Sequence, residues 1–220
     1  MDLLSNLANC VEDDIDEVTR KCERCLRARC VCDFLPESAL STNYTKNMKI
    51  IVLQHPSEAK EYKNTVNLMK VCLNNVYILN GSRFKSDGGI WDQACADKDG
   101  TFLLFPNKNA IDVKNLYNDV APDDRPNVIR QLVVIDGTWN SCRRIYGKNF
   151  DILNSMRKLC IYPETPSNYR IRKQPNINCL STIEAVAYVL LIAEQDQNLY
   201  DELTRPLDGL VESYKKIEQT

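Results

Sequence analysis

The chain has 220 residues, of which 44% are hydrophobic and 26% are charged. This is the composition of an ordinary globular protein, and the length suits one main domain with a small appendage better than two full domains. A net charge of −2 argues against a protein that coats nucleic acid without selectivity, because such binding needs a large positive excess. The longest apolar stretch, residues 185–193, is far shorter than the ~20 residues of a membrane helix, so we expect no membrane span.

The first 45 residues differ in composition from the rest. Acidic residues cluster at positions 12–17, where a signal peptide would carry basic and apolar residues, so we expect a cytoplasmic or nuclear protein whose thiols stay reduced. Four of the ten cysteines then fall within residues 22–32. We therefore predict an acidic lead-in and a cysteine-rich appendage over residues 1–45, followed by a main domain over residues 46–220.

The main domain alternates between short apolar runs and segments with helical spacing. Strands are predicted at residues 48–54, 76–79, 101–105, 131–135 and 158–162. Helices are predicted at residues 58–73, 113–118, 138–146 and 182–195, and a Gly/Asp-rich loop at residues 82–100. Apolar strands without strict alternation, separated by helices, predict an α/β fold with a mainly parallel sheet and helices on both faces.

The appendage contains the spacing Cys22-x2-Cys25-x4-Cys30-x-Cys32. Four thiols this close together can converge on one tetrahedral ion, and the basic residues around them favour thiolates. We predict a structural zinc knuckle, because four sulfur ligands leave no open position for a substrate. A redox dithiol built from the Cys22–Cys25 pair is the alternative.

An apolar strand ends at Asp136 and is followed by Gly137, Thr138 and Trp139. This order places a carboxylate at the carboxyl edge of a parallel sheet, where open α/β sheets bind ligands, and Asp136 could act there as a general base. The alternative is that Asp136 only caps the next helix and that Trp139 only fills the core.

Two further motifs carry polar residues beside predicted elements. Ser181 or Thr182 begins a helix with Glu184 in its first turn, which indicates either an ordinary cap or exposed amides that hold an anionic ligand group. His55, the only histidine, follows a predicted strand and precedes Glu58 and Asn64. His55, Glu58 and Asn64 could be accessory residues of a site, or His55 could serve the structure alone.

Charge is distributed unevenly along the chain. Residues 141–180 contain eight basic and two acidic side chains, whereas residues 181–220 contain three basic and eight acidic ones. This pattern favours a basic face that contacts a polyanion selectively. The candidate contacts are Arg143, Arg144, Lys148, Arg170, Arg172 and Lys173.

In this order, the motifs resemble the DTW-domain family of tRNA-uridine aminocarboxypropyltransferases over about residues 22–192. The segments that carry the resemblance are the cysteine cluster, the HPSE segment with the NT that follows it, the LLFP run at residues 103–106, the DGTW box at residues 136–139, and the RIRKQP and LSTIEA segments. The resemblance implies a SPOUT-like fold with a C-terminal knot. It also implies an S-adenosylmethionine site lined by Leu104, Phe105, Pro106, Asp136, Gly137, Thr138, Trp139, Leu180, Ser181 and Thr182.

The resemblance further implies the reaction. The 3-amino-3-carboxypropyl group of S-adenosylmethionine would pass to the imide nitrogen of a tRNA uridine, with Asp136 as general base and methylthioadenosine as the other product. The basic residues would contact tRNA phosphates, with Arg24, Arg27 and Arg29 extending that surface. The alternatives are a SPOUT-like RNA methyltransferase, an aminocarboxypropyltransferase that acts on ribosomal RNA, and a non-catalytic zinc-knuckle protein that binds RNA.

Overall fold

The structure, a computed structural model, describes residues 21–41, 46–61, 63–86, 88–171 and 179–218. A six-stranded sheet forms its centre. The strands are β1 (Lys49–Gln54), β2 (Val76–Asn80), β3 (Thr101–Leu104), β4 (Ile111–Asp112), β5 (Gln131–Asp136) and β6 (Arg157–Cys160). They lie in the order β2-β1-β5-β3-β6-β4, and every paired strand is parallel. The predicted α/β fold with a parallel sheet is confirmed.

Helices connect and flank these strands. They are α1 (Pro56–Ala59), α2 (Val66–Cys72), α3 (Ile90–Ala96), α4 (Val113–Tyr117), α5 (Trp139–Lys148), α6 (Phe150–Ser155), α7 (Thr182–Glu194), α8 (Gln197–Thr204) and α9 (Pro206–Glu218). Short 3₁₀ turns lie at Cys32–Phe34 and Arg125–Asn127. In the described part of the chain, no helix is long and apolar enough to cross a membrane.

Both faces of the sheet are buried under helices. Alternate side chains of a strand point to opposite faces, so each strand contributes to both. Ile50 and Val52 of β1 pack in one cluster with α2, α4, α7, α8 and α9. Ile51 and Leu53 of the same strand pack in a second cluster with α3, α5 and α6. This explains the continuous apolar runs in the sequence and confirms the prediction that helices cover both faces.

Two predicted segments are corrected by the structure. The helix predicted at residues 58–73 is two helices, because the side chain of Asn64 accepts from the backbone amide of Val66 at 2.8 Å and so begins α2 afresh. The loop predicted at residues 82–100 contains α3, whose Trp91 is buried against the sheet. The sequence did not predict this helix, because α3 has few apolar residues on its buried face and is flanked by Gly and Asp residues that are typical of loops.

The cysteine-rich appendage packs against the C-terminal helix α9. A Cβ atom on Gly209 would lie 2.6 Å from the ring of Phe34, so the close contact requires glycine there. Arg29 also donates to the carbonyl oxygen of Ser213 at 2.8 Å. The division between residues 1–45 and 46–220 stays a prediction. The C-terminal knot does as well, and residues 172–178, which precede α7, lie outside the described residues.

Candidate active site

A cavity of about 450 Å³ opens at the carboxyl edge of the sheet. It lies beyond the ends of β3, β5 and β6, which is where open parallel sheets bind ligands. Most of the residues around it are apolar, and Thr182 adds a hydroxyl at the start of α7. Seven of the predicted cofactor residues line it: Leu104, Phe105, Pro106, Gly137, Trp139, Leu180 and Thr182.

Part of the cavity wall was not predicted from the sequence. It comes mainly from the chain that ends β6 and follows it, namely Leu159, Cys160, Ile161, Tyr162 and Pro163. Tyr162 is 67% exposed, so its ring stands at the cavity mouth. The sequence could have predicted this part of the wall, because a parallel strand at residues 158–162 has to end at the same edge of the sheet as the other strands.

Asp136 is buried beside this cavity and is only 4% exposed. It ends β5 opposite Gln54 at the end of β1, and it is not among the described residues that line the cavity. Gln54 and Asn64 each donate a side-chain N–H to Asp136 Oδ2 at 2.9 Å, and the Thr182 hydroxyl donates to Oδ1 at 2.6 Å. Both carboxylate oxygens are therefore engaged within the chain.

Burial raises the pKa of Asp136 above the usual range of aspartate. The hydrogen bonds from Thr182, Gln54 and Asn64 act in the opposite direction, because they stabilise the charged form. The nearby carboxyl of Glu58, itself buried, raises the pKa further. A carboxylate in this environment is a stronger proton acceptor than an exposed one.

The start of α7 is fixed by a capping box. Ser181 caps the helix, and the Glu184 side chain accepts from the Ser181 amide at 2.7 Å. Glu184 also accepts from the Ser167 hydroxyl at 2.7 Å and from the Asn168 amide at 3.0 Å. The capping interpretation is confirmed for Ser181, and Glu184 in addition ties the chain at residues 167–168 to the helix that carries Thr182.

The residues of the DGTW box, 136–139, have different roles in the structure. Thr138, not Asp136, caps α5, since its Oγ accepts from the Ser141 amide at 3.2 Å. Trp139 is 38% exposed and lines the cavity instead of filling the core. A Cβ on Gly137 would lie 3.0 Å from Ser141, so this position is crowded as well as adjacent to the cavity.

The accessory residues His55, Glu58 and Asn64 lie close to Asp136 in the chain's fold. The His55 amide donates to the Asp136 carbonyl oxygen at 3.0 Å, while its ring engages Ser57 and caps α1. His55 does not contribute to the described cavity wall. Asn64 is the accessory residue in direct contact with the Asp136 carboxylate, and it also donates to the Glu58 carbonyl oxygen at 3.2 Å.

The four clustered cysteines converge as predicted. The sulfurs of Cys22, Cys25, Cys30 and Cys32 all lie within 4.8 Å of one another. Cys22 Sγ lies 3.5 Å from Cys32 Sγ and 3.6 Å from Cys30 Sγ. Four ligands at about 2.3 Å around one zinc ion stand roughly 3.8 Å apart, so the donor set fits a tetrahedral zinc site.

The pKa values of these thiols are shifted in opposite directions. The backbone amides of Cys25 and Arg24 lower the pKa of Cys22 to about 6. Burial raises the pKa of Cys25 and of Cys32. Four thiolates at these distances would repel one another, and a divalent cation is the group that would stabilise them together.

The predicted basic residues fall into two sets. Arg143, Arg144 and Lys148 are exposed on α5, and Arg170 is exposed as well, whereas Arg172 and Lys173 lie outside the described residues. The arginines of the appendage instead donate hydrogen bonds to backbone carbonyl oxygens of the protein itself. Arg24 donates to the carbonyl oxygens of Pro36 and Glu37, and Arg27 donates to that of Asn64.

Comparison with known proteins assigns the family. The DTW domain matches residues 19–215, which is most of the chain. The chain belongs to the DTW-domain family. No solved structure matches it.

Named relatives of this DTW-domain protein share one activity in their names. The chain is 30% identical to tRNA-uridine aminocarboxypropyltransferase 2 of Macaca fascicularis over 86% of its own length and 62% of the relative. It is 31% identical to the enzyme of the same name from Drosophila melanogaster, over 86% of this chain and 73% of the relative. It is 26% identical to tRNA-uridine aminocarboxypropyltransferase A of Arabidopsis thaliana, over 94% of this chain and 85% of the relative.

Proposed function

We propose that this DTW-domain protein transfers the 3-amino-3-carboxypropyl group of S-adenosylmethionine to the imide nitrogen of a uridine in tRNA. The observation that carries the proposal is the family match over residues 19–215, together with relatives named for this activity. The chain spans 62% of the macaque relative's length.

The cavity at the sheet edge supports S-adenosylmethionine as the ligand. Its volume of about 450 Å³ falls within the roughly 300–1,000 Å³ of small-molecule pockets, and its wall is mostly apolar. We propose that Leu104–Pro106, Gly137, Trp139, Leu180 and Thr182 hold the cofactor. When bound, S-adenosylmethionine supplies an electrophilic carbon in its amino-acid arm and departs as methylthioadenosine. A SPOUT-like C-terminal knot is part of the same proposal.

Asp136 is the proposed proton acceptor, and its burial indicates the route. A uridine in the cavity can reach Thr182, but Asp136 lies behind it. We propose that the imide proton passes to Thr182 Oγ while the Thr182 hydroxyl proton passes to Asp136 Oδ1. The nitrogen then holds a free electron pair for the new bond to carbon. The raised pKa of Asp136 supports this role, because proton uptake is favoured.

The zinc site has a separate proposed role. We propose that Cys22, Cys25, Cys30 and Cys32 bind one structural zinc ion, which holds the knuckle against α9. With four sulfur ligands, the ion would have no open position for a substrate. The basic residues Arg143, Arg144, Lys148, Arg170, Arg172 and Lys173 are proposed to contact tRNA phosphates, a role that the exposure of the first four supports.

Product analysis tests the proposed reaction. The protein should convert S-adenosylmethionine and unmodified tRNA into methylthioadenosine and a tRNA heavier by one aminocarboxypropyl group, both measured by mass spectrometry. S-adenosylhomocysteine as the product would instead identify a methyltransferase. Product formed with ribosomal RNA but not with tRNA would change the substrate. Binding of RNA with neither product would identify a non-catalytic RNA-binding protein.

A pair of substitutions at Thr182 tests the proton route. Thr182→Ser keeps the hydroxyl that bonds Asp136, so transfer should stay within a few-fold of the parent. Thr182→Val keeps the shape of the side chain and removes the hydroxyl, so transfer should fall by about 10²-fold, at the lower end of the usual effect of general acid–base catalysis. Equal rates for the two variants would exclude Thr182 as the link.

A further inference from the structure

A row of aromatic side chains leads from the cavity mouth along α5. Trp139 and Phe105 both line the cavity. Phe105 stacks on Tyr146 with ring centroids 4.8 Å apart and planes 11° apart. Tyr146 in turn contacts Phe150 edge-on, with centroids 6.0 Å apart. We call Trp139, Phe105, Tyr146 and Phe150 the aromatic row.

The aromatic row is open to solvent at both ends. Trp139 is 38% exposed and Phe150 is 52% exposed, values that place large apolar rings in water. Most of the other large apolar side chains near this face, such as Ile145 and Leu153, are fully buried. Phe105 and Tyr146 stack on each other and Phe150 contacts Tyr146 edge-on, so these three rings have already lost side-chain freedom. A partner would therefore bind them at a reduced entropic cost.

Positive charge accompanies the row. Trp139, Arg143 and Tyr146 follow one another at helical spacing on one face of α5, and Arg144 and Lys148 lie on the same helix. The helix contains no acidic residue. Aromatic rings can stack on the bases of an RNA strand, and the cationic side chains between them can contact its phosphates.

We infer that the aromatic row is a binding surface that extends outside the cavity, on which unpaired nucleotides beside the target uridine stack. The inference rests on the proposed function. In a paired stem each base already stacks on its neighbours, and an aromatic side chain has no free base face to contact. A uridine that enters the cavity must leave its stack, and its neighbours are then free to stack on the row.

Phe150 is the residue to change, because it belongs to the row without lining the cavity. Phe150→Ala should weaken binding of a labelled single-stranded oligonucleotide containing uridines by about 5- to 150-fold, as loss of one base–aromatic stack does. Phe150→Tyr keeps the ring and should bind within about 2-fold of the parent. Tyr77→Ala is the matched control, since Tyr77 is 40% exposed on the edge strand β2. Fluorescence anisotropy would measure each affinity, with a blunt RNA duplex as the second probe.

Tryptophan fluorescence gives an independent reading. The chain has two tryptophans, and Trp91 is 1% exposed, so quenching by added RNA reports on Trp139. The single strand should quench it more than the duplex does. Equal quenching by both probes, or parent affinity of Phe150→Ala for the single strand, would overturn the inference. So would a loss of self-association in Phe150→Ala at unchanged RNA affinity, because the row would then be a protein interface.

The inference and the proposed reaction can fail separately. If the protein forms no methylthioadenosine with tRNA, yet the Phe150 variants differ as expected, the reaction is wrong and the recognition of unpaired RNA stands. If methylthioadenosine forms and Phe150→Ala binds the single strand as the parent does, the reaction stands and the inference is wrong. Calorimetry with S-adenosylmethionine should give the same affinity for the parent and Phe150→Ala, which shows that the variant is folded.

Discussion

The four-cysteine knuckle at residues 22–32 and the site at the sheet edge are assembled in opposite ways. All four sulfurs of the knuckle come from residues 22–32, so chain spacing alone nearly determines their geometry. The carboxylate of Asp136 is instead held by Gln54, Asn64 and Thr182, which lie 82, 72 and 46 positions away in sequence. A local cluster can form wherever its segment folds, whereas the second site exists only when β1, β5 and α7 are packed together.

Among the described residues, a hydrogen bond from Arg27 links the two sites. The Arg27 guanidinium, between the second and third cysteine, donates to the carbonyl oxygen of Asn64. The side chain of Asn64 donates to Asp136. The knuckle therefore supports the backbone of a residue that positions the carboxylate, although it contributes nothing to the described cavity wall near Asp136.

Replacing the central carboxylate should have the largest effect. Asp136→Asn keeps the size of the side chain and its oxygen toward Gln54 and Asn64, but it removes the basicity. Transfer should fall by about 10²–10⁴-fold, the usual loss without a general base, while calorimetry should show parent-like affinity for S-adenosylmethionine. Asp112→Asn is the matched control, since Asp112 also ends a strand at this edge and caps the helix after it.

The pH dependence of transfer gives a second measurement on the same residue. Asp136 must be ionised to accept a proton, and burial raises its pKa, so activity should disappear as pH falls through a value above the ordinary aspartate range of about 3.9. The residual activity of Asp136→Asn should lack this acidic limb. A variant that binds cofactor normally and transfers within a few-fold of the parent would make Asp136 structural, and reduced cofactor affinity would make it a cofactor anchor.

Breaking the knuckle should have a smaller effect, confined mainly to its own region. Cys25 is fully buried, and Cys25→Ser replaces a thiolate ligand with a poor one. We expect zinc affinity to fall by more than about 100-fold, because loss of even an outer partner costs about 10–100-fold. Amide exchange should accelerate at residues 22–35 and stay slow in β1 and β5. Cys95→Ser is the control, since Cys95 is a half-buried thiol on α3 whose pKa burial raises to about 11.

Elemental analysis completes this test. The parent and Cys95→Ser should each retain one zinc per chain after washing with a weak chelator, and Cys25→Ser should not. A parent protein without stoichiometric metal would exclude the zinc site. Fast exchange throughout the sheet in Cys25→Ser would show that the knuckle and the main domain fold as one unit.

The difference between the two sites explains what the sequence could predict. The cysteine spacing identified all four converging thiols, and the apolar runs identified five of the six strands, because both signals are local. Asp136 and Thr182 were each selected as candidates. The hydrogen bond between them could not be predicted, since it depends on how α7 packs against the sheet.

Other omissions had usable signals. Asp196 caps α8 through the amides of Asn198 and Leu199, and Pro206 opens α9, both of which are ordinary start signals for a helix. Strand β4 is different, because its two residues are too few to give a pattern in the sequence. It is recognised only through its pairing with β6. The cavity wall at residues 159–163 followed from parallel strand order once β6 was placed.

The smallest predicted effect tests the contact between the two sites. Arg27→Gln removes the charged donor to the Asn64 carbonyl oxygen, and Arg24→Gln is the control, because Arg24 donates to the carbonyls of Pro36 and Glu37. Arg27→Gln should cost about 1.5–3 kcal/mol in unfolding free energy, as loss of a hydrogen bond from a charged group does. Transfer should fall by less than about 10-fold, since Asn64 keeps its side-chain contacts.

The pH profile separates positioning from mere loss of stability in Arg27→Gln. The hydrogen bond from Asn64 lowers the pKa of Asp136, so a looser Asn64 should raise that pKa and move the acidic limb of transfer to higher pH. The opposing influences at this carboxyl are burial and the charge of Glu58, neither of which Arg27→Gln alters directly. Arg24→Gln, at a similar or smaller loss of stability, should leave the limb where the parent has it. If Arg27→Gln unfolds more easily but keeps the parent's acidic limb, the knuckle stabilises the fold without positioning Asp136, and the two sites are independent.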